Sequence, residues 1–225
     1  MNGATSSPTV VDVQIRPYHP SDRAAVRQIC CGTADRGEDV ETVFRDREVF
    51  ADLVSSYYTD YEPTSTWIAE SHGDVIGYLT GCLESGRYRR VMAWRIVPHA
   101  MLRAISRGNL LSAQTWRLSW AGLQTWLRGG TRWPVPVASY PAHLHVNLQK
   151  GFRGQHIGHR LVERFLDQAR AAQLGGAHVA VRSDNRPSRT FFEGLGFIEL
   201  GRHRVVFPQG MSYETHETII YGTRL

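Results

Sequence analysis

The sequence predicts an α/β protein in which helices flank a mixed sheet with parallel pairing at its centre, interrupted by a helical insertion. Three observations carry this expectation. Short segments near both ends alternate like strands, and residues 157–172 form a helical stripe linking two strands as a crossover. A stretch at about 86–140, rich in arginine and tryptophan, breaks the pattern. At 225 residues the chain suits one core with an elaboration, so we expect a flexible start over 1–10 and a single domain over 11–225.

Val11 to Arg16 alternates, and Pro20-Ser21-Asp22 supplies an N-cap for a helix to about Cys31. A second helix is expected from about Glu41 to Tyr58, where Val43, Phe44, Val49, Phe50, Leu53 and Val54 recur at helical spacing. Thr66 to Glu70 and Val75 to Leu83 read as strands joined by the polar turn Ser71-His72-Gly73-Asp74. Within the insertion, Val97, Met101 and Ile105, then Trp116, Trp120, Leu123 and Leu127, make helical stripes expected to pack on the domain or on a second copy. A substrate lid or a membrane-surface helix is the sharper alternative. Gly129-Gly130 and the prolines Pro134, Pro136 and Pro141 end the insertion.

His143 to Leu148 then alternates, with Leu144, Val146 and Leu148 on one face and His143, His145 and Asn147 on the other. A glycine-containing turn, Lys150 to Gly154, leads to a helix from Ile157 to Ala172, stopped at Gly175-Gly176. Ala177 to Val181 is a short buried strand, and Asn185 to Leu195 a helix capped by Asn185 or Ser183. Phe197 to Val206 and Thr218 to Arg224 finish as strands.

Composition narrows the function classes. The start of the chain lacks the charged and apolar run of a secretory leader, and no stretch approaches the ~18 apolar residues of a membrane span, so a cytoplasmic protein is expected. Cys30, Cys31 and Cys82 make neither a CxxC pair nor an even framework, which argues against structural zinc and disulfides. The net charge of +5 is uneven. Between Ser85 and Val162 there is no Asp or Glu against 12 basic residues, while the rest of the chain holds 14 basic and 21 acidic residues. Such a segment is a landing site for an anion, and a ligand with three phosphates suffices. Nucleic acid or an acidic membrane surface would satisfy the same field, but neither is the preferred partner, and the tryptophan stripe makes a homodimer an open alternative.

The most informative segment is GFRGQHIGHRL, Gly151 to Leu161, which leaves a buried strand and enters a helix. Free backbone N–H groups and the positive end of the helix dipole converge there, where glycines admit a ligand, and Arg153 adds a cation. The loop lacks the Gly-Lys-Ser/Thr ending of a Walker loop and the GxGxxG dinucleotide fingerprint. One strand later comes NRPSRTFFEGLGF, Asn185 to Phe197. With both motifs in this order the chain resembles the GNAT superfamily of acyl-CoA-dependent acetyltransferases, whose pattern is an R/Q-x-x-G-x-G/A loop opening a helix, a strand, then N-x-x-A-x-x-F-Y ending in G-F. Arg153, Gly158, Asn185, Phe191, Gly196 and Phe197 match it. Within the superfamily, YPAHLHVNL and the loop after it look most like the acetyltransferase-like domain attached to O-GlcNAc hydrolases and its stand-alone bacterial relatives.

The resemblance implies a mostly antiparallel sheet whose central parallel pair is splayed, acetyl-CoA as co-substrate, and a small-molecule or peptide amine as acceptor. It implies that backbone groups around Leu148 pair with the pantetheine arm. The backbone N–H groups of Gly154, Gln155, His156, Ile157, Gly158 and His159 would hold the pyrophosphate with Arg153, Asn185 would contact the cofactor, and Phe192 would lie beside the thiol end. Two positions depart from the pattern. His156 replaces the middle glycine of the loop, and Phe192 replaces the tyrosine that protonates the departing thiolate in many relatives.

Acylating an amine by a thioester requires removal of a proton, a task that suits histidine. His145, and beside it His143, stand on the strand that leads into the loop, where arylalkylamine acetyltransferases of the superfamily carry a similar pair one residue further from the loop arginine. His145 is the preferred base, weighed against a structural, hydrogen-bonded histidine. His143, His145, His156 and His159 lack the spacing of a metal site, so no metal is expected. No GxSxG elbow suggests a serine nucleophile. The expected function is transfer of an acetyl group to a primary amine by direct attack. The alternative is an inactive module of the same fold that reads an anionic or protein ligand.

Overall fold

The computed structural model describes residues 12–33, 46–106, 120–121, 124–125, 127, 135–209 and 212–225. The expected flexible start and the first part of the expected second helix, including Val43 and Phe44, lie outside the described residues, as do Trp116 and Leu123. The described elements are β1 (Gln14–Pro17), α1 (Arg23–Gly32), α2 (Arg47–Ser56), β2 (Thr66–Ser71), β3 (Asp74–Cys82), α3 (Ser85–Val91), α4 (Val97–Ser106), β4 (Ala142–Leu148), α5 (Ile157–Ala171), β5 (Gly176–Arg182), α6 (Arg186–Gly194), β6 (Ile198–Gln209) and β7 (Ser212–Arg224).

Seven strands form one sheet in the order β1-β2-β3-β4-β5-β7-β6. Every neighbouring pair is antiparallel except β4 and β5, which are joined in parallel by the crossover through α5. The sheet is thus mostly antiparallel with one central parallel pair, as the sequence predicts. The β2–β3 turn is tight because His72 and Gly73 both take positive φ, 51° and 86°, the geometry a two-residue hairpin needs.

Helices cover both faces. On one, α5 and α6 bury Leu161, Val162, Phe165, Leu166 and Phe192 against Leu79, Leu144, Ala177 and Val179. Gly81 makes this approach possible, since a Cβ there would collide with the Phe165 ring. On the other face, α1 packs Val26 and Ile29 against Ile68 and Tyr78. Beyond α2 the chain widens into a π-type turn, Tyr57–Tyr61, closed by Glu62 N–H donating to Tyr57 O at 3.1 Å. This turn places Tyr57 and Tyr58 in a buried cluster with Cys82 and Ile96.

Several local expectations need correction. β1 begins at Gln14, later than Val11. Asp22 is the N-cap of the first helix as expected but makes no side-chain capping bond there; Pro20–Asp22 is itself a 3-10 turn capped by His19, with Asp22 accepting from His19 N–H at 2.8 Å and clamped by the Arg16 guanidinium at 2.7 and 2.8 Å. α5 ends at Ala171 and the chain leaves it through Gln173 at φ 56°, so the left-handed exit is made by Gln173, and Gly176 already belongs to β5. Among the described residues the stripe Val97, Met101, Ile105 does not pack on the domain, which leaves packing on a second copy as the expectation. Met101 and Ile105 are exposed, with Trp94 and Leu102 beside them. The cause is polar. Arg103 donates to Asp52 at 2.6 Å, and Asp52 also accepts from Arg27 at 2.8 Å, so this ion cluster and the buried Ile96 and Ala100 face α4 inward and turn the stripe outward. Later in the insertion Thr125 Oγ1 accepts from Val206 N–H at 2.9 Å, which occupies part of the free edge of β6.

Candidate active site

The parallel pair is where the sheet opens. β4 and β5 are in register only at Ala142 with Ala177 and His143 with His178. On its other side β4 stays paired with β3 through Leu148, opposite Gly77. Among the described residues, 144–148 therefore present a β5-facing edge with no strand partner. The Leu148 carbonyl accepts from Arg153 Nε at 3.2 Å, which draws Arg153 back across the mouth of the gap.

The loop after β4 carries the donors. Gly154 takes φ 77° and His156 takes φ 57°, ψ 9°, so the chain turns twice through left-handed conformations before α5 starts. His156 thus occupies a backbone state that glycine adopts at no cost, and its exposed side chain makes no capping bond. The first helical bond runs from Arg160 N–H to His156 O at 3.2 Å, so the N–H groups of Ile157, Gly158 and His159 have no helical acceptor. They form one convergent donor set at a helix start, suited to an anion. Ile157 is buried as an anchor, Gln155 donates to Gly151 O at 3.3 Å, and His159 lies 3.4 Å from Glu163. Gly158 is also a packing position, because a Cβ there would lie 3.2 Å from Phe191 and 3.6 Å from Leu148.

The second motif sits behind this loop. Asn185 caps α6 by accepting from Ser188 N–H at 3.2 Å, leaving its amide NH2 outside that bond. Phe192 is buried against Phe191 and Phe197, with ring centroids 4.9 and 5.3 Å apart, so a core ring stands where a tyrosine would offer a hydroxyl.

His143 and His145 share the other face of β4, and the structure separates them. His143 is buried with both ring nitrogens engaged, Nδ1 at 2.9 Å from Ser85 Oγ and Nε2 at 2.9 Å from Tyr58 Oη. Burial, with smaller effects from His145 and His178, pushes it well below the usual histidine range. Among the described residues nothing hydrogen-bonds the His145 ring, whose neighbours are the edges of Tyr58 and His143 at 5.9 and 6.1 Å between centroids. Burial first and His178 second push His145 down to about 4. His178 Nδ1 donates to Tyr140 O at 2.9 Å, and the ring is also lowered by burial. These three imidazoles at the fork are therefore neutral near pH 7. Sequence reasoning missed Tyr58, Tyr88 and Ser85, which come from segments remote from β4. Tyr58 had only the signal of the tyrosines that follow α2, where the expected helix ended.

Comparisons with known proteins agree with this geometry. Residues 127–197, which span β4, the loop, α5, β5 and α6, match the model of the acetyltransferase (GNAT) family. The structure of SsHAT superposes with a TM-score of 0.68 at 27% identity, covering 94% of this chain and 98% of that one. A ribosomal-protein-alanine N-acetyltransferase from Brucella melitensis superposes at 0.55 with 15% identity, over 94% of this chain and 99% of its own. A Salmonella typhimurium protein solved with its cofactor acetyl-CoA gives 0.56 at 17% identity, over 95% and 94% of the two chains. Among the described residues no cluster of potential metal ligands occurs, and no helix is long and apolar enough to cross a membrane. Over residues 127–197, and in its fold, the chain is thus similar to the acetyltransferases of the GNAT family.

Proposed function

We propose that the chain is an N-acetyltransferase that takes its acetyl group from acetyl-CoA and passes it to a primary amine, of a small molecule or peptide, by direct attack. The observation that carries this reading is the fork between β4 and β5, which has unpaired helix-start donors at its open end and the neutral His145 along the same strand. In this reading the N–H groups at the start of α5, with those of Gly154, Gln155 and His156, hold the diphosphate, and Arg153 adds charge at the rim. The free edge of residues 144–148 offers main-chain partners to an amide-bearing arm lying in the gap, and the Asn185 amide is available at its side. The bound co-substrate supplies an acetyl thioester at the inner end of that arm.

His145 then serves as base, with limits set by its environment. A group held near 4 cannot strip a proton from a free ammonium. It can accept the far more acidic proton of a nitrogen that has begun to bond to the acyl carbon, so the amine must enter neutral. Phe192 provides no proton to the departing thiolate, and that step falls to water or the acceptor itself. The likeness of YPAHLHVNL to the domain attached to O-GlcNAc hydrolases, a single domain over 11–225, and a cytoplasmic location belong to the same proposal.

Titration calorimetry with acetyl-CoA and with CoA tests the reading at low ionic strength, followed by thiol release over a panel of amines. Binding heat with both and release with at least one amine are expected. The absence of heat with either compound overturns it.

A further inference from the structure

The buried hydrogen bonds behind His145 have a direction that the contacts themselves determine. Ser85 Oγ lies 2.7 Å from Pro141 O, a carbonyl that can only accept, and two oxygens approach this closely only with a hydrogen between them. The single Ser85 hydroxyl hydrogen is therefore committed to Pro141. At its 2.9 Å contact with His143 Nδ1, Ser85 Oγ must accept, so Nδ1 carries the ring hydrogen. A neutral imidazole with Nδ1–H has a lone pair on Nε2, which accepts from Tyr58 Oη–H at 2.9 Å. Every hydrogen in the series points the same way, from Tyr58 to His143 to Ser85 to Pro141.

The series joins three remote parts of the chain at one position. Tyr58 belongs to the π-type turn after α2, Ser85 opens α3 in the insertion, and His143 is the last residue of β4 in register with β5. His145, two residues further along the same face, has no ring hydrogen bond among the described residues and meets Tyr58 and His143 in T-shaped contacts at 5.9 and 6.1 Å between centroids. Tyr88 of α3 closes the other side, edge-on to His143 at 4.7 Å between centroids.

We propose that Ser85, His143 and Tyr58 form a hydrogen-bond chain of fixed polarity that positions the His145 ring, with Ser85 as the residue that sets its direction. This rests on His145 being the base of the proposed reaction. Ser85 and Tyr58 are positioning residues acting through the two rings that flank His145, and the insertion is thereby coupled to the chemistry through its first helical residue.

The test uses the full chain labelled with 15N-histidine. Long-range proton–nitrogen correlation spectra of the wild type should show His143 as the Nδ1–H tautomer. Ser85→Ala removes the acceptor for that hydrogen, so the tautomer should become mixed. kcat should fall about tenfold while KM for acetyl-CoA stays within twofold, because base geometry is lost but the diphosphate grip is not. Ser85→Thr keeps a hydroxyl and should restore both readouts. If Ser85→Ala does not fold, Tyr58→Phe removes the other end of the chain while retaining the ring, and should also lower kcat without changing KM. An Nε2–H tautomer in the wild type, or a Ser85→Ala protein with unchanged tautomer and kcat, overturns the proposal. A wild type that binds CoA but transfers to no amine overturns the functional reading instead, and the spectra still judge the polarity of the chain.

Discussion

The two faces of β4 differ in what they ask of the sequence. Leu144, Val146 and Leu148 look toward α5 and α6, where the core is apolar and the polar groups beyond it are main-chain N–H groups at a helix start. His143, His145 and Asn147 look toward α1 to α3, where polar and aromatic side chains meet from distant segments, as in the 2.8 Å bond from Asn147 to Tyr78 Oη. In the proposed reaction the first face would act through backbone shape, so that any side chain that permits the shape would serve. The second would act through the identity and protonation of particular rings. Substitutions on the two faces should therefore fail in different ways.

The largest difference is expected at His145. His145→Ala should lower kcat by about 10²–10⁴, the usual contribution of a positioned base, while leaving acetyl-CoA affinity within twofold. Steady-state thiol release combined with calorimetry separates the two quantities. A fall in affinity matching the fall in kcat would show that the histidine face serves the cofactor too and would erase the contrast.

That contrast also explains how much of the protein could be read in advance. The strands of the second half, the crossover helix and the glycine-containing turn before it were legible because each is a local pattern. Alternation marks β4, glycine spacing marks the loop, and Asn185 ahead of an apolar stripe marks α6. The exit of α5 through Gln173 was not, because a nearby glycine pair gave a stronger but irrelevant signal. Nor was the facing of α4, which is decided by an ion cluster joining Arg27, Asp52 and Arg103 across 76 positions of sequence. His145 was a candidate from its strand, which leads into the loop, and from the resemblance to arylalkylamine acetyltransferases, but the lack of a hydrogen bond to its ring among the described residues and the engagement of His143 by Tyr58 and Ser85 are tertiary facts. Those partners stand 85 and 58 residues away, beyond any window of periodicity.

A second effect concerns acid. His143, His145 and His178 are all lowered in the folded chain, so between their folded values and the ordinary 6.5 the unfolded chain binds more protons. Stability should be fully present above about pH 6.5 and fall as pH drops toward 4, the value His145 reaches. The slope is at most about 1.4 kcal/mol per pH unit for each histidine. Calorimetric Tm between pH 7 and 5 measures this in a window where most carboxylates keep their charge. His145→Gln should flatten the curve by the share of one histidine. A Tm that does not change over that range would mean that the rings are not held neutral.

The smallest effect lies on the other face and sharpens the comparison most. His156 sits at φ 57°, a state that costs a side-chain-bearing residue about 1–2 kcal/mol. Replacing it with glycine removes that strain but loosens the unfolded chain by about 0.4–1 kcal/mol, so His156→Gly should stabilise by about 0.5–1 kcal/mol. Its N–H remains in place, so acetyl-CoA affinity should not change. Gly154→Ala imposes the opposite change at φ 77° and should destabilise by about 1 kcal/mol although nothing lies within 4 Å of the new methyl group. Denaturant titration resolves both signs. A histidine that can be removed from the loop with a gain in stability and unchanged affinity, beside one on the strand whose removal abolishes turnover, would establish that the first face works through its backbone and the second through its rings.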